Sequence, residues 1–395
     1  MRAGFARKFI AALLLCAAGQ SGMAQVQQTY QAQATRILSA AEEQVLLLVN
    51  ESAALLDQGR TEAASATAQR ALELARTTRM RDVEALALHN LARLELKGGR
   101  IEAAQRLLRR TLLLYEIDGN IGGQGTIRLE MADLLSQLGQ PEASQVQADA
   151  ARKLSAAVGD KLGLLNATSL AVQTQRSDPA SRTSQVESLL QQSQSQGVPI
   201  AEASALRQQG YRAMDDGDLQ AAQQFFDRAM ARASTALNPE AESHSLLALG
   251  ELAATRHKLP EALDFYQRAL ATARKGKFSG AAGNALLKLA SLHRSAGKVA
   301  LMREHAIQAN AAFKVEGQLV GQGLVSEALG DAEWMDGRRQ QAEAFYREAI
   351  KAGETTRRPE NEASARLRLA SLLRPTDFQA AKSEAERAIQ LYKSA

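Results

Sequence analysis

The sequence predicts an all-α protein assembled from about nine repeated helix–turn–helix units. Three observations support this fold class: helix-forming residues dominate the composition, an alanine–aromatic–alanine pattern recurs, and the clearest copies stand 40 residues apart. Spacing of this size is the mark of a repeat protein, in which each unit covers the apolar face of its neighbour.

The composition is that of a folded chain. Of 395 residues, 45% are hydrophobic and 23% are charged, which separates the protein from disordered sequences. Aromatic residues make up only 4%, whereas alanine, leucine, glutamine, glutamate and arginine are abundant and favour helices. The 7 prolines fall in expected turns or between expected units, where they do not interrupt helices.

The repeat is clearest in the C-terminal half. An alanine follows each turn, an aromatic residue comes four positions later, and a second alanine comes three positions after that: Ala222, Phe226, Ala229; Ala262, Tyr266, Ala269; Ala342, Tyr346, Ala349. Glycines precede the turns at the same spacing, at Gly210, Gly250 and Gly330. Weaker copies extend the pattern in both directions, with Ser144 and Met302 at the alanine position, and residues 165–202 fit poorly.

The second helix of each unit is expected to carry one apolar stripe. Its helical spacing is illustrated by Leu259, Ala262, Leu263, Tyr266, Ala269 and Leu270. The small residues let neighbouring helices approach closely, and the aromatic ring fills the wider gap. The stretch DDGD at 215–218 is predicted to be a turn in which Asp218 caps the following helix. A calcium loop is disfavoured, because its ligands are spread over twelve residues.

This pattern resembles the tetratricopeptide repeat (TPR), most closely at LLALGELAATRHKLPEALDFYQRAL and SEALGDAEWMDGRRQQAEAFYREAI. The resemblance covers about residues 45–395, with a 40-residue unit like the longer variant in kinesin light chains and some bacterial regulators. It implies a right-handed superhelical solenoid whose first helices line a concave groove. The expected organisation is an N-terminal helical extension at 25–44, units one to three at 45–164, a degenerate fourth unit or joint at 165–202, and units five to nine at 203–395.

The resemblance also implies candidate partner-binding residues in the groove. In the C-terminal half they are Arg207, Tyr211, His244, Glu251, Asn284, Lys288, Ser291, Glu327, Asp331 and Trp334. In the N-terminal half they are His89, Asn90, Arg93, Lys97, Glu130 and Asp133. The set is polar and carries both signs of charge. Trp334, the single tryptophan, is either an aromatic anchor for a partner or a packing residue between units seven and eight.

The first 24 residues have the pattern of a signal peptide. A basic start precedes the apolar run FIAALLLCAA, and Gly22 and Ala24 suit cleavage after Ala24. The run is too short to span a bilayer, and no stable membrane span is expected after cleavage. Leu15 before Cys16 disfavours a lipoprotein, so we expect a periplasmic or secreted protein whose mature chain has no cysteine. Its net charge would fall from +5 to +2, which gives no argument for nucleic acid as a partner.

No catalytic or metal-binding constellation emerges from the sequence. The 5 histidines form no HExxH motif, although His293 and His305 are expected to approach each other within one unit. Glycine-rich stretches at 119–125 and 317–323 follow no strand, which disfavours phosphate loops. We therefore predict a scaffold without cofactor or catalysis that binds a protein or extended peptide. The alternative is a sensory module for a small ligand or signalling peptide, and an enzyme is the least favoured reading.

Overall fold

The computed structural model describes residues 39–174 and 179–394, and within these ranges the chain forms eighteen α-helices and no β-strand. The prediction of an all-α protein of stacked helical hairpins is confirmed. The chain divides into two compact units: among the described residues, one comprises 39–136 and 141–174, and the other comprises 179–394 with the short segment 137–140. The expected signal peptide, residues 1–24, lies outside the described residues.

The first unit contains α1 to α7. Their bounds are α1 (Ala40–Asp57), α2 (Thr61–Thr77), α3 (Arg81–Lys97), α4 (Ile101–Ile117), α5 (Ile121–Gln137), α6 (Pro141–Ala157) and α7 (Lys161–Thr174). Turns of a few residues join successive helices, so that neighbours run antiparallel. Helix α1 begins before the repeat start expected at residue 45, because Ser39 and Glu42 form a capping box at its N-terminus.

The second unit contains α8 to α18. Their bounds are α8 (Pro179–Gln196), α9 (Pro199–Asp215), α10 (Leu219–Thr235), α11 (Pro239–Thr255), α12 (Leu259–Gly276), α13 (Ser279–Ser295), α14 (Val299–Glu316), α15 (Leu319–Met335), α16 (Arg339–Thr355), α17 (Pro359–Leu373) and α18 (Phe378–Ser394). The first helices of five successive hairpins begin at 199, 239, 279, 319 and 359. Prolines start α9, α11 and α17, where the missing N–H leaves no hydrogen bond unmade.

The DDGD stretch is a turn, as predicted. Helix α9 ends at Asp215 and α10 begins at Leu219, while Gly217 adopts a left-handed φ of +82°. The Asp218 carboxylate accepts a hydrogen bond of 2.9 Å from the N–H of Ala221, which satisfies a free donor in the first turn of α10. The three aspartates therefore end one helix and begin the next.

Most of the predicted core stripe is buried, although Leu263 is only partly buried. Ala262 and Ala269 have no exposed surface and Tyr266 is 4% exposed, but Leu259 is 42% exposed. Leu259 is the first residue of α12, so the turn before it leaves its outer side open to solvent. The stripe thus begins at Ala262, not at Leu259.

Each aromatic ring of the repeat packs directly over a glycine of the preceding helix. A Cβ atom added to Gly250 would lie 2.4 Å from Cε1 of Tyr266, and the same relation holds for Gly210 with Phe226. The third pair of this kind joins Gly330 to Tyr346. The glycines are therefore required by the ring, which occupies the space of the missing side chain.

The departures from the repeat are accommodated locally. Ser144 is buried at the alanine position, and its hydroxyl donates a hydrogen bond of 2.7 Å to the carbonyl of Ala132. Met302 is 1% exposed, and the ring of its hairpin comes from Phe313 at the end of α14. Gly321, in the second glycine-rich stretch, lies in the first turn of α15 against that ring. This stretch is a packing element at the start of a helix.

Candidate functional site

A cavity of about 530 Å³ lies in the second unit. The first helices of the five consecutive hairpins, α9, α11, α13, α15 and α17, supply all of its lining residues except Met302 of α14. The lining residues are Arg207, Tyr211, His244, Leu247, Glu251, Asn284, Leu287, Lys288, Ser291, Arg294, Met302, Leu324, Glu327, Ala328, Asp331 and Arg368. Its volume falls within the range of sites that hold small ligands or short segments of a larger one.

The same face of each first helix points into the cavity. On α13, for example, Asn284, Lys288 and Ser291 are separated by four and three residues, which aligns their side chains. The 40-residue repeat then places Asn284 between His244 and Leu324 in the array. Repetition of one helical face thus builds a continuous polar surface out of short local patterns.

The structure brings together nine of the ten residues predicted for the C-terminal half. All of them except Trp334 line the cavity. Trp334 lies near the end of α15 with 43% of its surface exposed, and Arg368 of α17 completes the lining there instead.

Sequence reasoning missed several lining residues, although the repeat contains a signal for them. Leu247 and Leu287 occupy the position of Arg207 and Glu327 in successive repeats. Arg368 stands 40 residues after Ala328 on the same face. The repeat position identifies both the apolar members of this face and the residue supplied by the last hairpin, whereas side-chain polarity does not.

Glu327 and Asp331, which we call the α15 carboxylates, are held by two arginines. Nη1 of Arg294 lies 2.7 Å from Oδ2 of Asp331, and Nη1 of Arg368 lies 2.8 Å from the same oxygen. Arg368 also forms an ion pair with Glu327. The Tyr346 hydroxyl donates a further hydrogen bond of 2.8 Å to Asp331. Burial, followed by the charge and hydrogen bond of Asp331, raises the pKa of Tyr346, so the phenol stays protonated as a donor.

Lys288 and Glu251 form a second pair across the cavity wall. The Lys288 ammonium lies 3.0 Å from the Glu251 carboxylate, with about two fifths of the lysine side chain exposed. This pair links α11 to α13 and is partly open to water, so its contribution to folding is small. Both groups remain accessible to a bound segment.

Arg207, Tyr211 and His244 form the α9 end of the cavity. Burial, and then the positive charge of Arg207, lower the pKa of His244 to about 4, so the imidazole is neutral at neutral pH. Tyr211 packs edge-on against Phe226, with ring centroids 5.2 Å apart. The Nη1 atom of Arg207 is buried and has no hydrogen-bond partner.

Two of the candidate binding residues in the first unit make hydrogen bonds within that unit. Asn90 is buried and donates to the Val49 carbonyl and the Ser52 hydroxyl, so it joins α3 to α1. Lys97 donates a hydrogen bond of 2.7 Å to the carbonyl of Leu56. The structure thus gives these two side chains contacts within the first unit.

Two other candidates of that unit meet directly: His89 Nε2 lies 2.7 Å from a Glu130 carboxylate oxygen. Burial alone would raise the pKa of Glu130, but the charge and hydrogen bond of His89, together with the charge of Arg93, outweigh it and lower the pKa. The remaining candidate, Asp133, lies on α5 with Glu130.

His293 and His305 meet, as predicted, with ring centroids 5.1 Å apart and stacked planes. Within residues 39–174 and 179–394, no three histidine, cysteine or acidic side chains converge as a metal site would require. In the same part of the chain, no helix is long and apolar enough to cross a bilayer.

Comparison with known proteins supports the repeat class. Residues 202–275 match the family model of the tetratricopeptide repeat, and no curated protein matches the sequence. The matched residues are thus similar to the tetratricopeptide repeat, and the described chain is a stack of helical hairpins. Proteins of this fold are typically binding scaffolds without catalytic function.

Two solved structures show the same fold along most of the chain. One is a Rap protein complexed with Competence and Sporulation Factor, with 12% identity, a TM-score of 0.60, and coverage of 89% of this chain and 99% of that one. The other is the apo form of the quorum sensor NprR from B. thuringiensis, with 12% identity, a TM-score of 0.53, and coverage of 88% and 97%. At this identity the likeness concerns the fold alone.

Proposed function

We propose that the protein is an exported scaffold that binds an extended peptide, or a peptide segment of a partner protein, in the cavity of its second unit. The observation that carries the proposal is the convergence of nine predicted polar and aromatic residues around one cavity of about 530 Å³. Their mixture of donors, acceptors and charges, interspersed with Leu247, Leu287 and Leu324, matches the needs of a polypeptide main chain and its side chains. The structure of Rap with Competence and Sporulation Factor gives a fold precedent for a bound partner.

Binding can be tested with a displayed peptide library selected on the immobilised protein. Asn284→Trp would fill the cavity, since Asn284 is an exposed lining residue of α13. Gln267→Trp is the matched control, because Gln267 is an exposed residue of α12 outside the lining. We expect selected peptides to bind the wild type and the control variant but not Asn284→Trp. Equal binding to all three proteins would place the peptide site elsewhere and contradict the proposal.

The volume of the cavity also favours a second candidate, a sensory module that holds a small ligand. Protein purified from its native source would then carry a bound metabolite, which native mass spectrometry would detect as a mass shift. The Asn284→Trp variant would lack that shift. A peptide or protein that co-purifies instead supports the first function.

Export is the remaining part of the proposal, and it rests on residues 1–24. The basic start, apolar run and small residues before the expected cleavage point support it. We expect N-terminal sequencing of protein from the native host to begin at or near Gln25, and the protein to appear in the periplasmic or secreted fraction. A mature chain that begins at Met1 would contradict export and leave the binding proposal untouched.

A further inference from the structure

The outer side of α18 carries large apolar side chains that no helix within residues 179–394 covers. Phe378, Ile389 and Tyr392 are 64%, 52% and 48% exposed. Their positions along the helix place all three side chains on one side, together with Ala385 between them. Helix α17 packs against a different side of α18, where Ala388 is fully buried. We call the stripe of Phe378, Ala385, Ile389 and Tyr392 the α18 face.

The equivalent positions of the preceding hairpin are covered by the next helix. Ile389 corresponds to Ile350 of α16, which is buried in a core shared with α17. Tyr392 corresponds to Gly353, where an added Cβ atom would lie 2.8 Å from the backbone of Glu362 in α17. The terminal hairpins of repeat arrays usually have a polar outer side. The α18 face therefore has the composition of a helix–helix interface, although it is exposed.

We propose that the α18 face binds a second copy of this chain, with the two α18 helices packed antiparallel about a two-fold axis near Ala385. The stripe is self-complementary about that residue, because Phe378 and Tyr392 lie at equal distances along the helix on either side of it. The phenyl ring of each copy then contacts the phenol ring of the other. A two-fold contact requires such reciprocity. The small side chain of Ala385 lets the two helices approach closely at the centre.

The charges beside the α18 face fit the same arrangement. Lys382 and Glu386 lie on one flank of the stripe, 3.8 Å apart, and both side chains are more than half exposed. Within one copy such a pair contributes little to stability. In an antiparallel pair of helices the same flanks meet, so Lys382 of each copy faces Glu386 of the other. One flank thus supplies both partners of a reciprocal ion pair, which favours a second copy over an unrelated helix.

The size of the α18 face predicts a weak dimer. With side chains of about 150–250 Å² and the exposed fractions above, Phe378, Ile389 and Tyr392 of two copies bury about 600 Å² of apolar surface. Since slightly more than half of an interface is apolar, the total is about 1,000 Å², near the lower limit for specific association. We expect a dissociation constant of about 10–100 μM for the dimer.

Sedimentation equilibrium of the purified protein, at concentrations on both sides of this value, measures the association. The wild type should shift from the mass of one chain to that of two as its concentration rises. Ile389→Glu places a carboxylate in the apolar stripe and should remain monomeric. Ile307→Glu is the matched control, because Ile307 is 55% exposed on α14, and it should associate like the wild type. Both isoleucines are exposed, so neither variant should lose helical content by circular dichroism.

Two charge changes test the antiparallel arrangement. Lys382→Glu and Glu386→Lys each place like charges opposite one another across the axis, and each should weaken association about 3- to 10-fold. The double variant restores opposite charges and should associate like the wild type. A double variant that associates more weakly than either single variant would overturn the antiparallel pairing.

Other results would overturn the interface itself. A wild type that is monomeric at every concentration would do so, as would an Ile389→Glu protein that associates like the wild type. A mass that grows beyond two chains would indicate a head-to-tail contact through other surfaces and contradict the two-fold arrangement. These results are independent of the proposed peptide binding, because α18 contributes no residue to the cavity lining.

Discussion

At the scale of single residues, the fold depends on a few positions at which size is strictly limited. Ala262 has no exposed surface, whereas Glu261, one residue earlier, is exposed. The difference follows from the helical period, because consecutive residues point about 100° apart. Small residues therefore alternate with charged ones along the second helix of each hairpin without loss of the buried stripe.

This contrast predicts the effect of two adjacent substitutions. Ala262→Glu should destabilise the second unit by about 3 kcal/mol, since it forces a larger and charged side chain into a filled site. Glu261→Ala removes an exposed ion pair with Lys258, at 2.9 Å, and should change stability by less than about 1 kcal/mol. Urea titrations of both variants measure the difference. Equal midpoints would show that the buried and exposed faces of α12 are assigned wrongly.

Leu237 combines a left-handed backbone conformation with a large, exposed apolar side chain. It has a φ of +50° in the turn between α10 and α11, and 88% of its surface is exposed, so it has little packing to lose. Leu237→Gly should stabilise the protein by about 1 kcal/mol, because a left-handed conformation costs a non-glycine residue about that much. Gly217→Ala, at a φ of +82°, should destabilise it by a similar amount. Thermal melting tests both signs, and a Leu237→Gly protein that melts below the wild type would contradict the assignment.

At the scale of helices and hairpins, the sequence predicts which face of a helix is buried, but not which side chains of different hairpins pair with each other. The recurrence of Gly250 and Tyr266 predicted a close helix crossing and a ring that fills a gap, but not that the ring lies directly over the glycine. The pairing of Arg368 with the α15 carboxylates was not predictable, since it joins side chains of different hairpins whose reach depends on their rotamers. Trp334 shows the same limit: its place on α15 was predicted, but its position outside the cavity lining was not.

The hairpin of α13 and α14 predicts a pH dependence of stability. Burial, and then the charges of His305 and Lys298, lower the pKa of His293. Nδ1 of His305 lies 2.8 Å from the Leu301 carbonyl and is assigned as the donor of that hydrogen bond. As the pH falls below the ordinary histidine value of about 6.5, the unfolded chain takes up a proton that the folded hairpin resists, so stability decreases.

Thermal melting at pH 7.5 and pH 5 measures this effect. The wild type should melt at a lower temperature at pH 5, and His293→Gln should reduce the difference between the two values. The variant should not abolish the difference, because His244 has a lowered pKa of about 4 and acts in the same direction. His257→Asn, at an exposed turn position, is the control and should retain the wild-type difference. A His293→Gln protein with the full wild-type difference would remove His293 as its source.

At the scale of the whole molecule, the two compact units are each stabilised by contacts between neighbouring hairpins. Such arrays gain their stability from repeat interfaces, so a unit with its own complete set of hairpins can fold independently. In the second unit, a core of buried residues runs from Leu246 on α11 to Ala332 on α15. The candidate cavity lies on the same helices, which makes the second unit the smallest part of the chain expected to bind the partner.

Limited proteolysis tests whether the two units are separate folding units. The boundary between the two compact units falls within the stretch 165–202, which has the weakest repeat signature and contains Pro179 and Pro199. Because cleavage concentrates where few contacts cross between domains, the first cuts should fall between about 176 and 200. Arg176 offers trypsin a site there, and the C-terminal product should remain helical and melt cooperatively. First cuts inside α11 to α14, or a single cooperative loss of both units without an early product, would instead indicate one continuous folding unit whose partner-binding surface depends on all of its hairpins.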